Sequence, residues 1–267
     1  MSKIHPTALV DPAAKLADDV RIGAYCVVGP QVELASGVSL QSHVVVQGRA
    51  RLGQGCQVYP FAAVGTAPQD LKFDGEDSEI VIGENTIIRE HVTLHPGTQH
   101  GGMQTRVGAG CLLMVGAHVA HDCRVGDGVI MANQATLGGH VVVEDNAFLG
   151  GLSAVHQFAR IGRGAMIGGM TGVEGDVIPY GMVTGNRAQL NGLNIIGLKR
   201  RGVARSEVQA LRAAYRALFD VREQSFTERL AEVEEEYGNW PTVRNVLDFI
   251  KTDSSRSLCQ PHSGNAA

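Results

Sequence analysis

The chain has 267 residues, of which 44% are hydrophobic but only 5% aromatic, with 34 glycines and a formal net charge of −4. So few aromatic side chains and so much glycine suit a narrow repetitive core better than a broad globular one, and the near-balanced charge argues against a nucleic-acid partner held by bulk electrostatics. No apolar run reaches the roughly 18 residues of a membrane span and no secretory n-region opens the sequence, so a soluble, cytoplasmic protein is expected.

A six-residue rhythm begins at once. Aliphatic residues stand at Ile4, Val10, Leu16, Ile22 and every sixth position to Val64, and a small or β-branched residue follows four places after each, from Ala8 to Ala62. A polar insertion at Thr66–Glu79 breaks the rhythm, which resumes at Ile82, Ile88 and Leu94. A second insertion, Gly97–Thr105, precedes an uninterrupted run from Val107 to Val173. A period of six fits neither the 3.6 of a helix nor the 2 of a strand. It fits short strands joined by tight corners, three hexads to a triangular coil, which is a parallel β-helix. Coils then stack at about 4.7–4.9 Å, and the residue eighteen places on lies above each position. Glycines that follow the aliphatic residue, such as Gly108, Gly126, Gly138 and Gly150, are expected to take positive φ at the corners. Insertions project as loops, often on the binding face.

Cys26, Cys56, Cys111 and Cys123 fall in the small inward slot and read as core hydrophobes rather than redox or metal groups. After Val177 the rhythm stops, and the segment 181–192 reads as a linker. Capping boxes at Ser206–Gln209 and Ser225–Glu228 predict two helices, and Pro241 opens a third. The expected organisation is a β-helix over 1–190 with loops near 66–79 and 97–105, a helical domain over 191–251, and a disordered tail over 252–267 in which Cys259 is a free thiol.

Three segments carry chemistry: His118-Val119-Ala120-His121-Asp122-Cys123, Gly138-Gly139-His140 and Val155-His156-Gln157. The eighteen-residue stacking puts His121 under Gly139 and beside His140, His156 over Gly138, and Gln157 over Gly139. His121, His140 and His156 therefore share one edge of the prism. An imidazole with a near-neutral pKa suits proton removal from a weak nucleophile. Asp122 either orients that imidazole, as carboxylates do in triads, or satisfies a corner N–H.

These segments, together with Gln69-Asp70-Leu71-Lys72 and Asn194-Ile195-Ile196-Gly197-Leu198-Lys199-Arg200-Arg201-Gly202, resemble the UDP-N-acetylglucosamine acyltransferases that begin lipid A synthesis. The resemblance spans about residues 1–251. It implies a mainly β fold, a left-handed parallel β-helix of hexapeptide repeats with a C-terminal α-helical domain, and a homotrimer with sites between subunits. Handedness rests on the resemblance alone, since parallel crossovers are right-handed in about 98% of cases. The implied reaction moves a 3-hydroxyacyl chain from acyl carrier protein to the 3-hydroxyl of UDP-N-acetylglucosamine, without cofactor or metal. His121 would be the general base and the Gly139 N–H an oxyanion donor. His118, His140, His156 and Gln157 match sugar and nucleotide contacts. Asp70 and Lys72, with Gln69 beside them, match contacts reaching a neighbouring subunit's site. Asn194 and Arg200 match nucleotide and phosphate contacts. Gly169 matches a position that sets acyl length, and the lack of a side chain suggests a chain of about C12–C14.

The chain departs from the family at Ile196, where some members carry an acid, and at Arg187, where some carry a histidine. Lys199, Arg200, Arg201, Arg205, Arg212, Arg216 and Arg222 outnumber Glu207 and Asp220 locally, which suits either an acidic carrier protein or a solvated helix face. Whether the acceptor bears a hydroxyl or an amine at C3, giving ester or amide, is open at this level. The rival readings are another hexapeptide acyltransferase, a histidine zinc site and a non-catalytic scaffold.

Overall fold

The protein is described by a computed structural model over residues 3–220 and 223–262. Short parallel strands, most of two residues, stack into three sheets that form the faces of a prism. A regular hexad gives two residues to the face and the rest to the corner, while Arg49–Leu52, Glu79–Ile82 and Gln104–Val107 extend to four. Pairing follows the eighteen-residue step, as in Ile4 with Ile22, Val10 with Val28 and Leu16 with Leu34. The coils form a left-handed parallel β-helix with helices at its C-terminal end. Register survives both insertions, because Val64 pairs with Leu94 and Leu94 with Val119. Both loops thus leave the stack at one corner, between the sheet that holds His118–Val119 and the sheet that holds Arg124–Val125.

Large side chains such as Leu52, Ile82, Leu113 and Leu137 fill the interior and alternate with small Ala, Cys and Val. Each large one contributes about 1.5–3 kcal/mol by leaving water. The inward cysteines behave as small hydrophobes. The Cys123 thiol donates to the Gly138 carbonyl (3.1 Å) and burial pushes its pKa up to about 12, while Cys56 is pushed up to about 11.

The corner glycines act differently from the expectation. The left-handed residue is the second of the turn, three places after the aliphatic one, and it is often not glycine: Tyr25, His43, Phe61, Asp122, His140 and Phe158 all have φ between 58° and 67°. Gly108 and its equivalents are needed instead for close stacking. A Cβ on Gly108 would lie 2.5 Å from the Gly126 carbonyl carbon of the next coil.

Three further expectations are corrected at the C-terminal end. The segment read as a linker is a hairpin: Gly181–Thr184 runs parallel to Met166–Ile167 and antiparallel to Gln189–Leu193, since Val183 and Leu190 both have apolar surface to bury. Helices α1 (Ile195–Arg200), α2 (Arg205–Phe219), α3 (Phe226–Tyr237) and α4 (Pro241–Lys251) follow. The Ser225–Glu228 box is formed and Pro241 opens α4, but α2 begins after Ala204 with no side-chain cap. Tertiary packing wins there. Glu207, in the first turn of α2, accepts from the Thr242 N–H of α4 (3.0 Å). The tail is ordered as far as it is described. Asp176 N–H donates to the Ser257 carbonyl (2.8 Å) and Cys259 N–H to the Asp176 carbonyl (2.8 Å), so Cys259 is buried and its thiol is pushed up to about 11. Arg222 and the tail beyond His262 lie outside the described residues.

Candidate active site

The corner that carries both loops also carries the histidines. Its turns are His121-Asp122, Gly139-His140 and Gln157-Phe158 in successive coils. The His140 N–H donates to the His121 carbonyl (3.0 Å) and the Phe158 N–H to the Gly139 carbonyl (3.1 Å). Side chains on successive turns therefore touch. His121 and His140 meet edge to face at 5.1 Å, and His140 stacks on Phe158 at 4.5 Å.

Asp122 and His121 form a fixed pair. The His121 Nδ1–H donates to Asp122 Oδ2 at 2.8 Å, and the Asp122 side chain is wholly shielded from solvent. The second inserted loop completes its shell. The Thr98 N–H donates to Oδ1 (2.9 Å) and the Thr98 hydroxyl to Oδ2 (2.6 Å). The Asp122 N–H itself donates to Thr105 Oγ1 (2.8 Å). Both readings of Asp122 meet here, since it orients the imidazole and also satisfies a loop N–H. With its proton held at Nδ1, His121 leaves Nε2 as a proton acceptor.

Glycine shapes the walls of this pair. A Cβ on Gly139 would lie 2.5 Å from His121 Cε1, and one on Gly101 would lie 1.9 Å from Asp122 Cγ. Beside the ring, the Gly139 N–H makes no hydrogen bond among the described residues and is free to donate. His121, Asp122 and His140 also place potential metal-ligand atoms within 4.8 Å of one another. Oδ2 already takes two donors, however, and His140 Nε2 stays 3.9 Å away from it.

His118 lies on the strand one step before the turn, with Nδ1 2.7 Å from Thr93 Oγ1. Burial, helped by the nearby His121, holds it below the usual histidine pKa. His140 is likewise pushed down by burial, against the opposing pull of Asp122 and Asp70. Asp70 belongs to the first inserted loop, which leaves the stack at this same corner. Gln69 and Lys72 are exposed on the same loop, the Lys72 N–H donating to Asp70 Oδ1 (3.0 Å). His156 and Gln157 lie one coil above Gly138 and Gly139 and are exposed.

Other candidates lie apart. Asn194 caps α1, accepting from the Gly197 N–H (2.9 Å) and donating to the Gly164 carbonyl (3.0 Å), so most of its side chain is structurally committed. Arg200 is exposed in the last turn of α1. Gly169 sits at the opposite end of the strands that reach the histidine corner. Ile196 is 66% exposed, and Arg187 only approaches Glu174 at 4.0 Å.

His95 was not singled out from the sequence, yet it belongs to this cluster. Its ring packs edge-on against His118 at 5.0 Å, its Nδ1 is buried without a hydrogen-bond partner, and burial pushes its pKa down to about 4. The only signal was its place directly after a strand of the same sheet. Above pH 6.5 the folded and unfolded chains both hold His95 neutral. Between pH 6.5 and about 4 the unfolded chain takes up a proton that the native site refuses, so stability falls as pH falls. The expected loss is about 3 kcal/mol. His95→Phe should remove it, seen as denaturation midpoints that converge or cross with wild type between neutral and acid pH. Parallel profiles would contradict the assignment.

Residues 176–259 match the family described as UDP N-acetylglucosamine O-acyltransferase, domain 2, and residues 104–139 match the bacterial transferase hexapeptide repeats. The chain is 55% identical over 264 residues to the acyl-[acyl-carrier-protein]–UDP-N-acetylglucosamine O-acyltransferase of Azorhizobium caulinodans, covering 99% of this chain and 97% of that one. It is 46% identical over 263 residues to the enzyme of the same name from Rhizobium johnstonii, covering 98% and 96%. Among solved structures, LpxA from Acinetobacter baumannii superposes with a TM-score of 0.92 at 41% identity, over 96% of this chain and 99% of that one.

Proposed function

Because the chain belongs to the UDP-N-acetylglucosamine O-acyltransferase family, we propose that it transfers a 3-hydroxyacyl chain from acyl carrier protein to the 3-hydroxyl of UDP-N-acetylglucosamine, the opening step of lipid A biosynthesis, with His121 as general base. The observation that carries the mechanism is the buried Asp122 carboxylate on His121 Nδ1, which leaves Nε2 free beside the uncommitted Gly139 N–H. Nε2 takes the proton of the sugar hydroxyl as its oxygen bonds to the thioester carbonyl carbon, a contribution of about 10²–10⁴-fold. Negative charge that develops on the carbonyl oxygen faces the Gly139 N–H, and one such donor is worth about 10²–10³-fold. The tetrahedral intermediate collapses by breaking the C–S bond. The imidazolium, stabilised by Asp122, returns its proton to the departing thiolate.

The remaining assignments follow from position. His118 and His140 flank the base, His156 and Gln157 stand one coil above, and Gln69, Asp70 and Lys72 hang from the loop at the same corner. Arg200 offers a planar fork for phosphate and Asn194 holds the helix that bears it. Lys199, Arg201 and the arginines of α2 give acyl carrier protein a basic surface. Tyr25, Phe61, Leu152 and Met170 are 59%, 53%, 62% and 74% exposed along another corner, the first two packed ring to ring with His43 and His91, a surface suited to burial between subunits in a homotrimer. No helix among the described residues is long and apolar enough to cross a membrane, which fits a cytoplasmic enzyme.

The acyl chain is assigned to the outer face of the sheet between the His121 corner and Gly169. A six-residue edge spans at most about 20 Å, and the outward residues Thr136, Ala154 and Gly172 are small. A Cβ on Gly169 would meet only the Gly151 carbonyl oxygen, at 3.3 Å, so a larger side chain has room to project into the trough. Gly169→Met should move the preferred donor at least about two methylenes shorter, each surplus methylene costing on the order of tenfold or more. Mass spectrometry of products from an equimolar donor mixture of about C10 to C16 reads this directly. The same assay, run with UDP-N-acetylglucosamine beside its 3-amino analogue, tests the function. An ester on the hydroxyl acceptor is expected, and turnover of the amine alone would favour the amide-forming reading.

A further inference from the structure

We infer that Arg256, in the C-terminal tail, is a positioning residue that fixes His156 as the Nε2–H tautomer and so presents it to the sugar nucleotide as a neutral hydrogen-bond donor. The inference rests on the reading of His156 as an acceptor-substrate contact.

The tail is polar in composition, yet its backbone is pinned. Asp176 N–H donates to the Ser257 carbonyl, Cys259 N–H to the Asp176 carbonyl, and Leu190 N–H to the Gln260 carbonyl, at 2.8, 2.8 and 3.0 Å. Buried Cys259 anchors the strap. Arg256 lies one residue before this anchored stretch, and its own N–H donates to Ser254 Oγ (3.1 Å). From there the side chain crosses to the histidine corner. Its Nε–H donates to the Gln157 carbonyl (3.1 Å), and Nη2 lies 2.6 Å from His156 Nδ1.

The chemistry of that second contact is one-directional. A guanidinium carries five N–H donors, has no acceptor and does not deprotonate. His156 Nδ1 must therefore accept, and the ring proton sits on Nε2. The 3.2 Å approach of Nδ1 to the Gln157 carbonyl brings two acceptors together, and the guanidinium fork bridges them. His156 Nε2 makes no hydrogen bond among the described residues. The tail thus leaves one donor at a defined place on an exposed ring. Such a group binds an oxygen acceptor, a carbonyl or phosphoryl oxygen of the sugar nucleotide, and cannot serve a hydroxyl donor.

The test uses the full-length protein in three forms: wild type, Arg256→Ala and His156→Ala. Two-bond nitrogen–proton correlation spectra of histidine-labelled protein read the tautomer, and steady-state kinetics read KM for UDP-N-acetylglucosamine apart from kcat. Arg256→Ala is expected to shift His156 from the Nε2–H form mainly to the Nδ1–H form, which then donates to the Gln157 carbonyl 3.2 Å away. It should raise KM for the sugar nucleotide by about tenfold, with kcat and KM for the acyl donor changed by less than about threefold, the scale of one charge-assisted hydrogen bond. Arg256→Lys, which keeps the charge but loses the fork, should recover only part. If Arg256→Ala releases the tail, seen as faster thiol modification at Cys259, Arg256→Gln is judged in its place. An unchanged tautomer and KM in the Arg256 variants, with KM raised in His156→Ala, would overturn the inference alone. An unchanged KM in His156→Ala would remove the reading beneath it as well.

Discussion

Asp122→Asn is expected to lower kcat by about 10³–10⁴-fold with little change in KM for the sugar nucleotide, the scale reached when a triad carboxylate is replaced by its amide. The two oxygens of Asp122 take three donors, from Thr98 N–H, Thr98 O–H and His121 Nδ1–H. An amide has one oxygen. If that oxygen keeps Thr98, the NH2 group faces His121 Nδ1, and the imidazole must move its proton to Nε2 to offer an acceptor. The base is then blocked although the ring has not moved. Steady-state kinetics against wild type check this, and a loss smaller than about tenfold would contradict the orienting role.

A second large effect is expected at the junction between the β-helix and the helical end. Asp176 has no exposed side-chain surface, accepts from the Arg160 N–H and Nε–H (both 2.8 Å), and pairs through its backbone with Ser257 and Cys259. Arg160 also lies over the Phe249 ring of α4 at 4.4 Å. Asp176→Ala leaves a shielded guanidinium without its partner, a loss of about 3–5 kcal/mol. Denaturant titration should report it, with faster modification of Cys259 as the tail loosens. Asp176→Asn, which keeps one of the two acceptors for Arg160, should lose less. A variant as stable as wild type would show that the pair does not hold the two parts together.

The repeating part of this fold is legible in the sequence because its physics is local and periodic. One large and one small inward residue per hexad, from Ile4 to Val173, dictates the sheets and the eighteen-residue step, and that step makes His121 and His140 neighbours. Where the period breaks, legibility fails for reasons that can be named. The loop at 97–105 covers Asp122 through Thr98 and Gly101, a contact set by loop closure rather than by spacing. Corner glycines were misplaced because φ and steric room are different demands, met at different positions of one turn. The tail looks disordered by composition, yet a few backbone hydrogen bonds and one buried cysteine hold it, and Arg256 then meets a residue 100 positions away. Ser206 carries a cap signature that packing between α2 and α4 overrides.

Single-turnover transfer from saturating hydroxyacyl carrier protein to UDP-N-acetylglucosamine, with wild type and His121→Ala compared at equal folded concentration, decides whether the His121–Asp122 pair is the base for acyl transfer. A rate lower by about 10²–10⁴-fold in the variant, with the sugar nucleotide still bound, is predicted. A variant rate within about threefold of wild type would contradict it and move the base to another group on the same edge.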